Sequence, residues 1–197
     1  MAENGWSGMF STAFRQSRNG MILLDDGRRL VDANGAFLKL VGHSREQLVG
    51  QPMWQLVVGG PRVSPRRWHD ALAGGDFTGE TELRRADGST VAVQWGAHPE
   101  LVTGRRLVLM VALSTSRWGP HFRREASAEP ERGPLSDREQ EVVRLVALGA
   151  TGPEVATELQ IAHDTVRTHV RNAMTKTGAR SRAHLVAVVL GNGDVLH

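Results

Sequence analysis

Cysteine is absent from the 197-residue chain. That excludes disulfides, a thiolate metal site and cysteinyl–flavin photochemistry. Lysine is almost absent too: of 24 basic residues only Lys39 and Lys176 are lysines. With abundant Ala, Gly and Val, that bias points to a GC-rich coding genome and says nothing about fold. No apolar run approaches the roughly 20 residues needed to span a bilayer. Residues 1–19 place Arg15 and Arg18 after their apolar residues, the wrong order for a signal peptide. A cytoplasmic location is therefore expected. An aspartate-rich receiver pattern, a phosphate-cradling glycine loop and a readable Ser/His/Asp constellation are also missing, so no enzyme is expected.

What is present fits a soluble globular protein of one domain or two small ones, with 40% hydrophobic and 23% charged residues. The net charge of +3 permits nucleic-acid binding without requiring it. The distribution of charge is more informative. From Pro134 onward seven bases balance seven acids, yet five of those bases lie between 167 and 182 and no acid does. A basic patch on a neutral domain is the footprint of a nucleic-acid contact.

Along the chain, Gly8–Arg18 reads as a short helix with Met9, Phe10, Ala13 and Phe14 on its apolar side. Met21–Leu24 and Arg28–Ala33, joined at Asp25-Asp26-Gly27, read as a hairpin. Asn34 caps a helix that Gly42 stops, and Ser44-Arg-Glu-Gln47 is a capping box for a second. Met53–Val58 supplies a further helical turn, and Arg66–Ala73 a helix ending at Gly74-Gly75. Three strands follow: Phe77–Arg85, Thr90–His98 and the more continuously apolar Arg105–Ser114. Two strands, short helices, then three strands imply an antiparallel sheet with helices on one face.

Leu24-Asp-Asp-Gly-Arg-Arg-Leu-Val-Asp-Ala-Asn34, Phe37, Gly42–Gly50, Phe77-Thr-Gly-Glu80 and Leu83–Ser89 resemble a PAS domain. The resemblance covers about 100 residues. It implies an α+β fold, a five-stranded antiparallel sheet with short helices, enclosing a cavity used for a cofactor, for a small molecule or only for dimerisation. Phe37, Met53, Trp54, Trp95 and Met110 are the candidate cavity lining, with simple core packing as the alternative. His69 sits roughly where haem-binding relatives place an axial ligand, so a haem- or flavin-containing sensor is the alternative reading, though no cofactor is the expectation. The domain boundaries read as a cap helix at 1–20, a PAS domain at 21–114, a linker at 115–133 and a helical domain at 134–197. The linker is rich in charge and proline; Trp118–Ala126 can instead form a helical connector.

In the C-terminal part, Ser136-Asp-Arg-Glu139 and Thr151-Gly-Pro-Glu154 are capping boxes for two helices. The first carries an apolar stripe at Val142, Leu145, Val146 and Gly149. A tight turn at Gln160–Ala162 leads to Asp164–Gly178. As a helix this stretch has two faces: Val166, Val170, Ala173, Met174 and Thr177 on one, Arg167, Thr168, Arg171 and Thr175 nearly opposite. Arg can bond guanine edges and a Thr methyl can meet a thymine methyl in the major groove. Ser181 caps a last helix, Arg182–Leu190. Two helices joined by a tight turn form a helix-turn-helix.

Leu135-Ser-Asp-Arg-Glu-Gln-Glu-Val-Val143, Leu148-Gly149, Glu154-Val-Ala156, Leu159, Thr165-Val-Arg-Thr-His-Val170, Lys176 and Ser181-Arg182 resemble the LuxR/FixJ-type DNA-binding domain, an all-α four-helix fold. Two departures are visible. Ala162 stands where that family places a Ser or Thr cap, with Asp164 or Thr165 expected to compensate; Thr151-Gly152-Pro153 replaces Ser-Asn and a non-proline residue. The resemblance implies base contacts from Arg167, Thr168 and Arg171. It implies phosphate contacts from Thr151, Thr165, His169, Asn172, Lys176 and Arg182, where His169 reads equally as a packed residue. It also implies a dimer seam at Val186, Val189 and Leu190, otherwise core, and as partners inverted-repeat DNA, a second copy and RNA polymerase. The two-domain order resembles PAS–LuxR activators of polyene macrolide gene clusters in actinomycetes. A non-DNA-binding partner module is the remaining rival.

Overall fold

The computed structural model describes residues 11–61, 63–73, 77–102, 105–114 and 133–192. Helix α1 (residues 11–16) leads into β1 (Gly20–Leu24), β2 (Leu30–Ala33), α2 (Gly35–Val41) and α3 (Arg45–Leu48). A single 3-10 turn at Met53–Gln55 precedes α4 (Pro65–Ala73), β3 (Thr78–Arg84), β4 (Thr90–Val102) and β5 (Arg105–Ser114). Four helices complete the chain: α5 (Asp137–Ala147), α6 (Gly152–Glu158), α7 (His163–Thr177) and α8 (Arg182–Asn192).

The five strands form one antiparallel sheet in the order β2-β1-β5-β4-β3. Both ends of α2 follow the local rules. Asn34 Oδ1 accepts from Phe37 N–H, and Gly42 ends the helix at φ 72°. Asn34 Oδ1 also accepts from Met21 N–H, and its amide donates to the carbonyls of Phe14 and Asn19, so one buried residue ties α1, β1 and α2 together. The Asp25–Gly27 turn takes its left-handed residue at Arg28 (φ 61°). Strand β4 runs four residues beyond its expected end at His98, because its pairing with β5 continues to Val102↔Arg105.

Helices were expected on one face of the sheet; both faces are covered. Ile22 and Leu24 of β1 and Val108, Met110 and Ala112 of β5 join a core beneath α2, α3 and α4. Their neighbours Met21, Leu23, Leu107, Leu109, Val111 and Leu113 point the other way, into a core shared with α1 and the four C-terminal helices. Alternate residues of a strand face opposite sides, so a strand buried on both reads as an unbroken apolar run. This is the physical reason for the continuous hydrophobicity of Arg105–Ser114.

Helix α8 lies on that second face against β4 and β5, and residues 181–190 are buried on every side. A helix apolar all round is a buried helix. The contact is close: a Cβ on Gly96 would sit 2.3 Å from His184 N and 2.4 Å from its Cα. Thr78 and Ser181 hydroxyls bond at 2.7 Å across the same seam. Residues 17–19 cap α5 from outside. Ser17 Oγ donates to the Ala147 carbonyl (2.7 Å), Arg18 N–H to Leu148 (3.0 Å), and the Asn19 amide to Val146 (2.9 Å) and Ala147 (3.1 Å). The last carbonyls of a helix have no partner within it, and here the sheet domain provides one. Apart from Gly133, the linker expected at 115–133 and the connector at Trp118–Ala126 lie outside the described residues.

Candidate nucleic-acid interface and sensor cavity

Helices α5, α6 and α8 start at their side-chain caps, Ser136, Thr151 and Ser181. Ser136–Glu139 and Thr151–Glu154 both form reciprocal capping boxes. The tight turn between α6 and α7 uses Gln160 in the left-handed region (φ 53°), and Gly178 ends α7 at φ 72°. The expected compensation for Ala162 does not occur. No side chain caps α7; Asp164 lies in its first turn, where it acts on the helix dipole and pairs with Arg167 Nη1 at 3.7 Å.

Helix α7 packs Val166, Val170, Ala173 and Met174 into the core. The opposite face is open: Thr165, Arg167, Thr168, Arg171 and Asn172 are all exposed, and His169 is half-buried. Thr168 and Thr175 hydroxyls bond back to the carbonyls of Asp164 and Arg171, which leaves their methyl groups as the outward surface.

Three residues expected beside this face are placed otherwise. Lys176 bonds Glu139 Oε2 at 2.7 Å, so a phosphate contact by Lys176 would compete with that carboxylate. Burial raises the Glu139 pKa, but hydrogen bonds from Lys176 and Ser136 outweigh it and hold the carboxyl below its ordinary value. Arg182 is not at the surface. It is 3% exposed, donates to the Ala150 carbonyl at 3.1 Å, and burial lowers its pKa to about 9. It is a buried cation of the core, where it cannot meet a phosphate in this arrangement. Thr151 Oγ1 is engaged as the N-cap of α6. Next to it Glu154 is held down to about 2 by the Thr151 backbone bond and by Arg18, 3.1 Å away. Val186, Val189 and Leu190 are buried within the chain's own core.

In the sheet domain a cavity of about 230 Å³ lies between the sheet and α4. Met53, Trp54, Trp95 and Met110 line it as expected. Phe37 does not; it is fully buried in the core behind. His69 does not either. It is on the exposed face of α4 with Nδ1 3.2 Å from the Pro65 carbonyl, so the axial-ligand reading loses its residue. Its neighbour Trp68 faces the cavity from α4, joined by Arg28 and Thr81; none of the three was expected there. A helical wheel drawn from Trp68 would have found the first. Arg28 and Thr81 had no signal, since both lie in segments with exposed polar neighbours.

Residues 18–116 match the PAS domain family, and residues 133–189 match bacterial regulatory proteins, luxR family. The spore germination protein GerE of Bacillus subtilis (strain 168) is 41% identical over 61 residues, 31% of this chain and 82% of GerE. The chain belongs to the luxR family of bacterial regulatory proteins and carries a PAS domain. The probable transcriptional regulatory protein NarL of Mycobacterium tuberculosis is 43% identical over 60 residues, 30% of this chain. The chain spans only 28% of NarL. Among solved structures, the PAS domain of the HTR-like protein from Haloarcula marismortui has TM-score 0.46 and 19% identity over 57% of this chain and 93% of that one. The VqmA dimer of Vibrio cholerae has TM-score 0.38 and 20% identity over 94% and 88%. This LuxR-family chain thus has a DNA-binding domain of known type docked on a sensor fold.

Proposed function

We propose that this LuxR-family protein is a sequence-specific transcriptional regulator that lays α7 in the major groove. Arg167, Thr168 and Arg171 read base edges; Thr165, His169 and Asn172 meet phosphates that set the register. The observation that carries the reading is the exposure of Arg167, Thr168 and Arg171 together on the outer face of the second helix of a helix-turn-helix. The protein acts as a homodimer on an inverted repeat with half-site centres about one helical turn apart. An activator of a secondary-metabolite gene cluster, working through RNA polymerase, is the role that the resemblance to PAS–LuxR regulators supports.

Control by the PAS domain follows from α8. Dimerisation through Val186, Val189 and Leu190 requires α8 to leave the sheet, since all three are buried within the chain. The docked arrangement is then the state without a dimer seam, and a signal favours DNA binding by favouring the undocked one. Titration of fluorescent duplex DNA across salt concentrations tests the reading. A steep linear fall of log K with log salt is expected, with a slope of about −0.9 per phosphate neutralised. Affinity that is flat in salt sinks it and favours a protein-contact module.

A further inference from the structure

Two buried polar groups in the lining of the PAS cavity are unsatisfied. Trp68 is 4% exposed, and its Nε1–H has no hydrogen-bond partner; the buried Thr81 Oγ1 has none either. Both line the cavity, as does Arg28. An orphaned buried donor costs free energy that a ligand can return.

Trp68 and Arg28 are held in place by their neighbours. Trp68 meets the Phe77 ring edge-on at 4.4 Å, and Phe77 meets Trp95 at 5.3 Å, which locks the indole orientation. Trp95 has room because its partner across the strands is Gly79, where a Cβ would come within 2.6 Å of the ring. The Arg28 guanidinium lies 4.9 Å from the Trp54 ring and 5.7 Å from the Trp68 ring, and donates through Nη1 to the Val63 carbonyl at 2.7 Å. Among the described residues it pairs with no carboxylate, and burial lowers its pKa. The carboxylate in the lining, Glu80, is exposed and bonds none of the three.

The remaining walls are apolar: Leu24, Met53, Val93, Trp95 and Met110. At about 230 Å³ the space is below the usual ~300–1,000 Å³ of drug-sized sites, so it suits a single ring. We propose that the PAS cavity binds a small aromatic carboxylate, its ring against Trp54 and Trp95 and its carboxylate on Arg28, Trp68 Nε1–H and the Thr81 hydroxyl. This deepens the sensor half of the function proposed above. It is tested without DNA, so its failure leaves the DNA-binding reading standing.

The test uses the full-length protein, ¹⁵N-labelled at tryptophan, titrated with benzoate, acetophenone and ethylbenzene, three rings of similar size. Benzoate should shift the Trp68 indole N–H resonance, identified by its loss in W68F, and should bind at least about tenfold more tightly than ethylbenzene, with acetophenone between them. Thr81→Val should weaken benzoate several-fold while keeping or raising the melting temperature, because it removes an orphaned hydroxyl. Arg28→Asn should weaken it further; Asn tolerates the left-handed backbone at that position. The proposal is overturned if benzoate gives no saturable shift at millimolar concentration, if ethylbenzene or acetophenone binds as tightly, or if both variants bind benzoate like the wild type.

Discussion

Replacing Gly96 by Ala adds one methyl group where the PAS sheet meets α8. That Cβ would lie 2.3 and 2.4 Å from backbone atoms of His184 and 2.6 Å from the Ala183 carbonyl carbon. Ordinary contact begins at 3.4 Å, so the two elements must separate by roughly 1 Å. The obstacle is backbone of a helix packed on its other sides by α5 and α7, so no rotamer change relieves it. Overpacking costs about 1–3 kcal/mol in most cores, and occasionally more; the upper end is expected here. For a chain of this size ~3 kcal/mol corresponds to a melting temperature lower by roughly 6–12 °C. Gly35→Ala is the matched control: it starts α2, and nothing lies within 4 Å of its Cβ. Scanning calorimetry compares the two, and light scattering of the eluted protein reads the dimer fraction, which G96A should raise. A G96A protein as stable as G35A, with an unchanged oligomeric state, would refute the docked arrangement of the two domains.

Other expectations follow from the buried and capping charges. Arg182→Met should leave the melting temperature nearly unchanged, since the desolvation penalty it removes offsets the loss of the bond to the Ala150 carbonyl. A large loss of duplex affinity in R182M at unchanged stability would instead restore Arg182 as a phosphate contact. Glu154 and Glu139 both have folded-state pKa values depressed from 4.5, Glu154 to about 2. Depressed carboxylates contribute stability above the unfolded value that is lost as pH falls through the folded one. Stability should therefore fall between about pH 4.5 and 2. Glu154→Gln should flatten part of that slope, and an unchanged acid titration of E154Q would contradict the capping and Arg18 assignment.

Much of this was legible in the sequence because it is local. Caps at Asn34, Ser44, Ser136 and Thr151, and stops at Gly42 and Gly178, are decided within four residues. The faces of α7 follow from helical periodicity, and a periodicity survives in one dimension. What failed depended on the partner across space. Arg182 reads as a surface base until the sheet is placed over α8. Phe37 reads as cavity lining, and Trp68 is not expected there, until the sheet domain is closed. The signal for the docking itself was present: residues 105–114 are too continuously apolar for a sheet with one wet face.

The most direct test of the central claim is selection of binding sites from random duplexes by the full-length protein, repeated with Arg171→Ala. An enriched inverted repeat with half-site centres about one turn apart is expected, with R171A relaxing one base position per half-site at a cost of about 1–3 kcal/mol. No enriched motif, or a uniform loss over all sequences in R171A, would contradict base reading by α7.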